Sequence, residues 1–230
     1  MKLIKLLFSL FLILIVLGVL LLGYIGVIPG LSSLFGFDKP RNLGIKYTKQ
    51  DLDNAQSKLK QTLIDVNPNS NEQFDSLTGI PIETTLTSEK YSAHVEMLHP
   101  LSDVQIKLEG SNFEMSGRID KSRIPQYVKT WGLTDANDVE ILNVADKYLP
   151  GNPVFYVAGS GSVTNDDMII NLTKAELGRL PVPTDQAEQI VELISETLFK
   201  EIGGFSAEST TIENGQLHFK GTSTPQVPKY

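Results

Sequence analysis

The chain has no cysteine among its 230 residues. That absence excludes disulfides, thiolate metal sites, thiol nucleophiles and a lipid-modified cysteine anchor in one step. Histidine is nearly as scarce, with three copies, although acid–base and nucleophilic catalysis need a base tuned toward neutral pH. Positive charge is in deficit: 20 Lys and Arg stand against 27 Asp and Glu, a net charge of −7. Such a field disfavours nucleic-acid phosphates and anionic headgroups, so nucleic acid is not an expected partner. Charge of either sign is missing between Lys5 and Asp38.

What fills that gap is aliphatic. Leu6 to Ile28 is 23 residues long and would span about 35 Å as a helix, against a hydrocarbon core of roughly 30 Å. Residues 1–28 therefore read as a transmembrane anchor. The alternative is a cleaved export signal, whose apolar region is roughly 7–15 residues followed by a small-residue cleavage site. Val27-Ile28-Pro29-Gly30 does not match such a site. Lys2 and Lys5 precede the run and Lys39, Arg41, Lys46 and Lys49 follow it, so lysine and arginine counts do not fix orientation. A short basic tail before an apolar run is how export signals begin. The expected location is a single-pass protein of the cell membrane with its domain extracytoplasmic.

Pro29-Gly30, Ser32-Ser33 and Gly36 mark residues 29–43 as a linker. Residues 44–222 carry the patterning of one α+β domain. Thr48 can cap a helix bearing Leu52, Ala55, Leu59 and Leu63 on one stripe, ended by the polar segment from Asn67. A second helix runs from Ser88 to Leu98 and stops at His99-Pro100. Val104, Ile106 and Leu108, then Phe113 and Met115, alternate with polar residues around Gly110-Ser111 and predict an antiparallel hairpin. Short helices are expected at 124–131 and 139–148, and a strand pair at 153–163 and 168–173. Thr184 opens the longest helix of the domain, whose stripe includes Ile190, Ile194 and Leu198. Asn214-Gly215 closes a last hairpin carrying Leu217 and Phe219. Residues 223–230, with Pro225 and Pro228, read as a disordered tail.

Shifted by 104 positions, Ser102, Leu108, Glu109, Phe113, Met115 and Gly117 fall on Ser206, Ile212, Glu213, Leu217, Phe219 and Gly221. Either a helix–hairpin unit occurs twice, or two amphipathic hairpins of equal length align.

Motifs of chemistry are not recognisable. His94 and His99 are five apart, which is not the i, i+4 spacing of two ligands on one helix face. Gly159-Ser160-Gly161-Ser162 is neither a nucleophile elbow nor a phosphate loop, and reads as a bulge or a close backbone approach inside a strand. Asp166-Asp167 reads as a turn. The expectation is a non-catalytic protein with no catalytic residue, no metal and no cofactor.

Leu86-Thr87-Ser88-Glu89, Pro100 to Leu108, Met115-Ser116-Gly117, Gly178 to Pro183 and the Asn214-Gly215 hairpin ending in Gly221 resemble bacterial membrane-anchored proteins related to the tubular lipid-binding (TULIP, or BPI-like) superfamily. The likeness covers roughly residues 43–222. It implies a bent antiparallel sheet wrapped around a long helix, with an apolar interior that receives a lipid or another amphiphile. The expected apolar lining is Val104, Ile106, Leu108, Phe113, Met115, Ile170, Leu172, Ile190, Ile194, Leu198, Leu217 and Phe219. The alternative is a scaffold with a closed core that binds protein or cell-wall polymer; a protein partner or a second copy is left open by the sequence.

Overall fold

The computed structural model describes residues 13–20, 23, 38–65, 78–131, 151–201 and 204–229, with backbone only at 131, 193–194 and 196–201. The element order is α1 (Lys49–Leu59), β1 (Thr62–Asp65), β2 (Ile80–Leu86), α2 (Ser88–Leu98), β3 (Leu101–Glu109), β4 (Asn112–Ile119) and α3 (Ile124–Trp131). It continues with β5 (Val154–Thr164), β6 (Asp167–Leu177), β7 (Leu180–Pro181), α4 (Thr184–Glu201), β8 (Ser206–Glu213), β9 (Gln216–Ser223) and β10 (Gln226–Lys229). The fold is α+β with a large antiparallel sheet in the order β2-β9-β8-β5-β4-β3, β6 lying on β5 and β7 on β6.

Local chemistry sets the element ends. Thr48 and Asp51 form a reciprocal capping box at α1. The helix stops at Lys60, in the left-handed region, so Leu63 falls in β1 and not on the helix stripe. α2 ends where His99 turns extended ahead of Pro100. Asn214 and Gly215 both adopt positive φ, the backbone of a two-residue hairpin turn. At Gly159 an added Cβ would strike the carbonyl of Asn171, and the β5–β6 register shifts between Ala158 and Gly159. The glycine-serine run is therefore a bulged strand.

The two hairpins 104 residues apart share their register. Leu108 faces Phe113 and Ile106 faces Met115 in one; Ile212 faces Leu217 and Thr210 faces Phe219 in the other. Each carries a register shift near its open end, at Ser102/Gln105 and Ala207/Ser209. Both pair with β5, β4 along Val154–Ser160 and β8 at Val163 and Thr164. Their tips touch, the Gly215 amide donating to the Gly110 carbonyl at 3.2 Å.

Free sheet edges are closed by side chains. On β3 the amides of Leu108, Ile106 and Val104 donate to Ser88 Oγ at 3.0 Å, Ser92 Oγ at 2.8 Å and Glu96 Oε2 at 2.8 Å. These acceptors are four residues apart on α2. Four helical residues rise about 6.0 Å and two strand residues about 6.7 Å, so the rows stay in step. On β2, Lys58 and Lys60 donate to the carbonyls of Thr85 and Pro81. On β6, the Leu172 amide donates to Glu188 Oε1 of α4 at 2.6 Å. The row of capped amides on β3 leaves that edge without donors for another chain.

Several expectations need correction. Residues 38–43 are no free linker. The Arg41 amide donates to Ser116 Oγ at 2.8 Å, its guanidinium grips Glu176, and the Leu43 amide donates to Gln105 Oε1 at 2.9 Å. The segment thus crosses β6, β4 and β3 as a strap. The 223–230 tail is not disordered at residues 223–229: β10 pairs in parallel with β1, and Val227 is 1 % exposed. β2 lies in what reads as a polar segment. The helix expected at 139–148 lies outside the described residues, as does most of Leu6–Ile28. Residues 13–20 are helical with exposed apolar side chains. Among the described residues no helix is long and apolar enough to cross a membrane.

Candidate functional site

α2 leans on β3 so closely that the inward residues of that strand meet the helix and leave no gap. Val104, Ile106 and Leu108 are buried with Leu86, Val95 and Leu217 in one core cluster. On its other side α2 touches β2, β9 and β10 more sparsely than it touches β3. There a partly enclosed cavity of about 330 Å³ opens between Tyr91, His94, Val95, Leu98 and His99 of the helix and its end, and Ala207, Thr210, Leu217 and Phe219 of the last hairpin. Leu59, Leu86, Val163, Met168 and Phe205 add apolar wall, and Gln61, Tyr127, Ser195, Ser223, Thr224 and Val227 complete it. The volume falls near the lower end of the roughly 300–1,000 Å³ range of small-molecule pockets. It is about twice the roughly 150 Å³ apolar cavity that takes a benzene ring.

Helical spacing puts the α2 residues on this wall: 91, 94, 95 and 98 follow the i, i+3, i+4, i+7 pattern. The polar groups among them bond to other residues of the same wall. His94 Nε2 lies 2.7 Å from Gln61 Oε1. An amide oxygen only accepts, so Nε2 carries the proton and Nδ1 is left as an acceptor. His99 Nδ1 lies 3.1 Å from the Tyr127 hydroxyl, which leaves its Nε2 without a partner among the described residues. Burial lowers both imidazoles, His94 to about 3 with help from His99, and His99 to about 4 with help from Arg123. Both are neutral at physiological pH. The Ser223 hydroxyl is buried without a hydrogen-bond partner among the described residues. A buried group left so costs about 1–3 kcal/mol.

The expected lining is only partly the observed one. Leu217 and Phe219 face the cavity. Val104, Ile106, Leu108 and Leu172 are buried outside its wall, and Phe113 and Met115 pack against the core. Ile170 is half-buried on β6 and is not on the wall either. Ile190 is a correction: at 53 % exposure it faces solvent, because α4 meets β6 through Glu188 and Ser195. The side chains of Ile194 and Leu198 lie outside those described. The α2 face was missed; its signal is the spacing of Tyr91, His94, Val95 and Leu98, hidden by reading the histidines only as metal ligands. Among the described residues no three His, Asp or Glu side chains gather as a metal site would need.

No family model, curated protein or solved structure matches this chain.

Proposed function

We propose that the chain is a membrane-anchored, extracytoplasmic, non-catalytic module that binds one lipid or other amphiphile in the cavity beneath α2. The observation that carries this reading is the cavity itself, about 330 Å³ walled largely by Leu, Val, Met and Phe side chains. An empty apolar void costs stability in proportion to its size, so a resident apolar ligand is the economical occupant. The volume suits a single short chain better than a two-tailed lipid. The uncharged run of Leu6–Ile28 and the helical, exposed apolar residues 13–20 support the anchor. The likeness to the tubular lipid-binding superfamily, with its sheet bent around a helix, belongs to the same proposal.

The test is extraction of the purified full chain with organic solvent, followed by mass spectrometry. About one equivalent of an apolar species is expected, lost in Ala207→Leu, which fills the cavity. A wild-type chain free of such species would favour the closed scaffold instead.

A further inference from the structure

The run between Lys5 and Asp38 has no charge, and Leu31, Leu34, Phe35 and Phe37 continue its apolar character up to the domain. It meets the folded domain at a fixed place. The Asp38 carbonyl accepts from Arg118 Nη2 at 2.5 Å, and the Lys39 carbonyl from Arg179 Nη2 at 3.0 Å. Arg118 stands at the end of β4 and Arg179 in the turn between β6 and β7. β5 begins at the same end, since the Ile119 amide donates to the Pro153 carbonyl and the Gly178 amide to the Val154 carbonyl. Leu180 follows Arg179 and is 45 % exposed, with Pro181 and Pro183 exposed beyond it. The opposite end of the sheet differs: the two touching hairpin tips carry Glu109, Glu114 and Glu213 against Lys107.

From this juxtaposition we infer that the domain seats on the bilayer that holds its anchor, with the loop at 178–183 pressed into the headgroup layer and the hairpin tips directed away. The inference rests on the anchor proposed above and adds the surface by which the domain meets the membrane. A single exposed leucine is ordinary on a protein surface. Leu180 differs because the residue before it is hydrogen-bonded to the chain arriving from the anchor. That tether keeps the loop at high effective concentration near the lipid, so a small apolar contact suffices. The net negative charge gives the domain no general pull toward headgroups, which leaves the apolar contact to set its orientation. Pro181 and Pro183 fix their own φ and hold the loop stiff. The tip at Ser111 is the length of β4 away from Arg118, about 23 Å. Leu98 and His99 of the cavity wall close α2 just ahead of Leu101, which pairs with Ile119 at the seated end. That end of the cavity is therefore the one nearer the membrane.

The absence of native cysteine makes single-site labelling direct. Leu180→Cys and Ser111→Cys, both at exposed positions, carry the same thiol-linked fluorophore in the full chain. Each is reconstituted in phosphatidylcholine nanodiscs containing a lipid with a nitroxide on its headgroup, which quenches fluorophores close to the membrane surface. Both variants should melt as the wild type does. Expected is quenching several-fold stronger at position 180 than at position 111. Equal quenching at the two positions, none at either, or stronger quenching at 111 would overturn the seat and leave the anchor standing. A chain that elutes apart from the nanodiscs would overturn the anchor and the seat together.

Discussion

The hydroxyl of Ser92 on α2 accepts the backbone amide of Ile106 on β3 at 2.8 Å, with Ser92 wholly buried. It also donates to the Ser88 carbonyl at 2.7 Å, so one side chain serves helix and sheet edge together. Ser92→Ala is expected to leave the Ile106 amide without a partner in the core and to lower unfolding free energy by about 1–3 kcal/mol in urea titrations. An unchanged midpoint would show that the edge is closed another way.

Arg41 donates to both carboxylate oxygens of Glu176, at 2.7 and 2.8 Å, and stacks over the Tyr156 ring at 4.5 Å. Arg41→Ala should cost about 1.5–3 kcal/mol and release the strap. Hydrogen exchange at the Leu43 amide and trypsin cleavage at Lys46 would both speed up. Burial raises the Glu176 pKa, but hydrogen bonds from Arg41 and Lys174 outweigh it and hold the carboxyl below its ordinary range. Its folded pKa is thus below the unfolded value of about 4.3. The stabilisation is whole above that pH and is lost as pH falls through the folded value, a loss that Glu176→Gln should blunt.

His94 and His99 act in a different window. Their folded values of about 3 and about 4 lie below the unfolded value near 6.5. Between those limits the unfolded chain binds more protons, so stability falls as pH drops from about 6.5 toward 4. Melting temperature against pH should show this slope, and His94→Gln should flatten part of it. Ring-proton NMR shifts of both histidines should stay constant from pH 8 to 5; titration near 6.5 would contradict their burial.

Val227 is packed with Leu63, Leu98, Tyr127 and Val128 at the cavity's edge. Val227→Ala removes two methyl-sized groups and should cost about 1–2 kcal/mol. Ending the chain after Ser223 should cost more, since it also removes β10 from β1. Denaturant melts of the two variants measure the difference.

Where local chemistry decides, the chain is readable. Thr48 with Asp51, His99-Pro100 and Asn214-Gly215 mark their helix and strand ends because capping, proline sterics and positive φ are local. The alternation of Val104, Ile106 and Leu108 marks the dry face of β3 for the same reason. What is not readable depends on distant partners. Pro81 and Pro228 argue against strands, yet Pro81 carries its carbonyl outward to Lys60 on an edge, where no ladder amide is needed. Pro228 likewise sits in β10 opposite Ile64. Ile190 follows the apolar stripe of α4 and still faces solvent, because Glu188 turns the helix toward the β6 edge. Gln61 and Tyr127, which bond to His94 and His99 in the cavity wall, are related to them by no sequence spacing.

The central claim is that an apolar chain occupies the space between α2 and the last hairpin. A crystal structure of the full chain soaked with 10-bromo-1-decanol tests it directly, since bromine is located by its anomalous signal. The account predicts a bromine peak within the cavity, among Val95, Leu217 and Phe219. A cavity filled by the protein's own side chains, with bromine only at the surface, would contradict it.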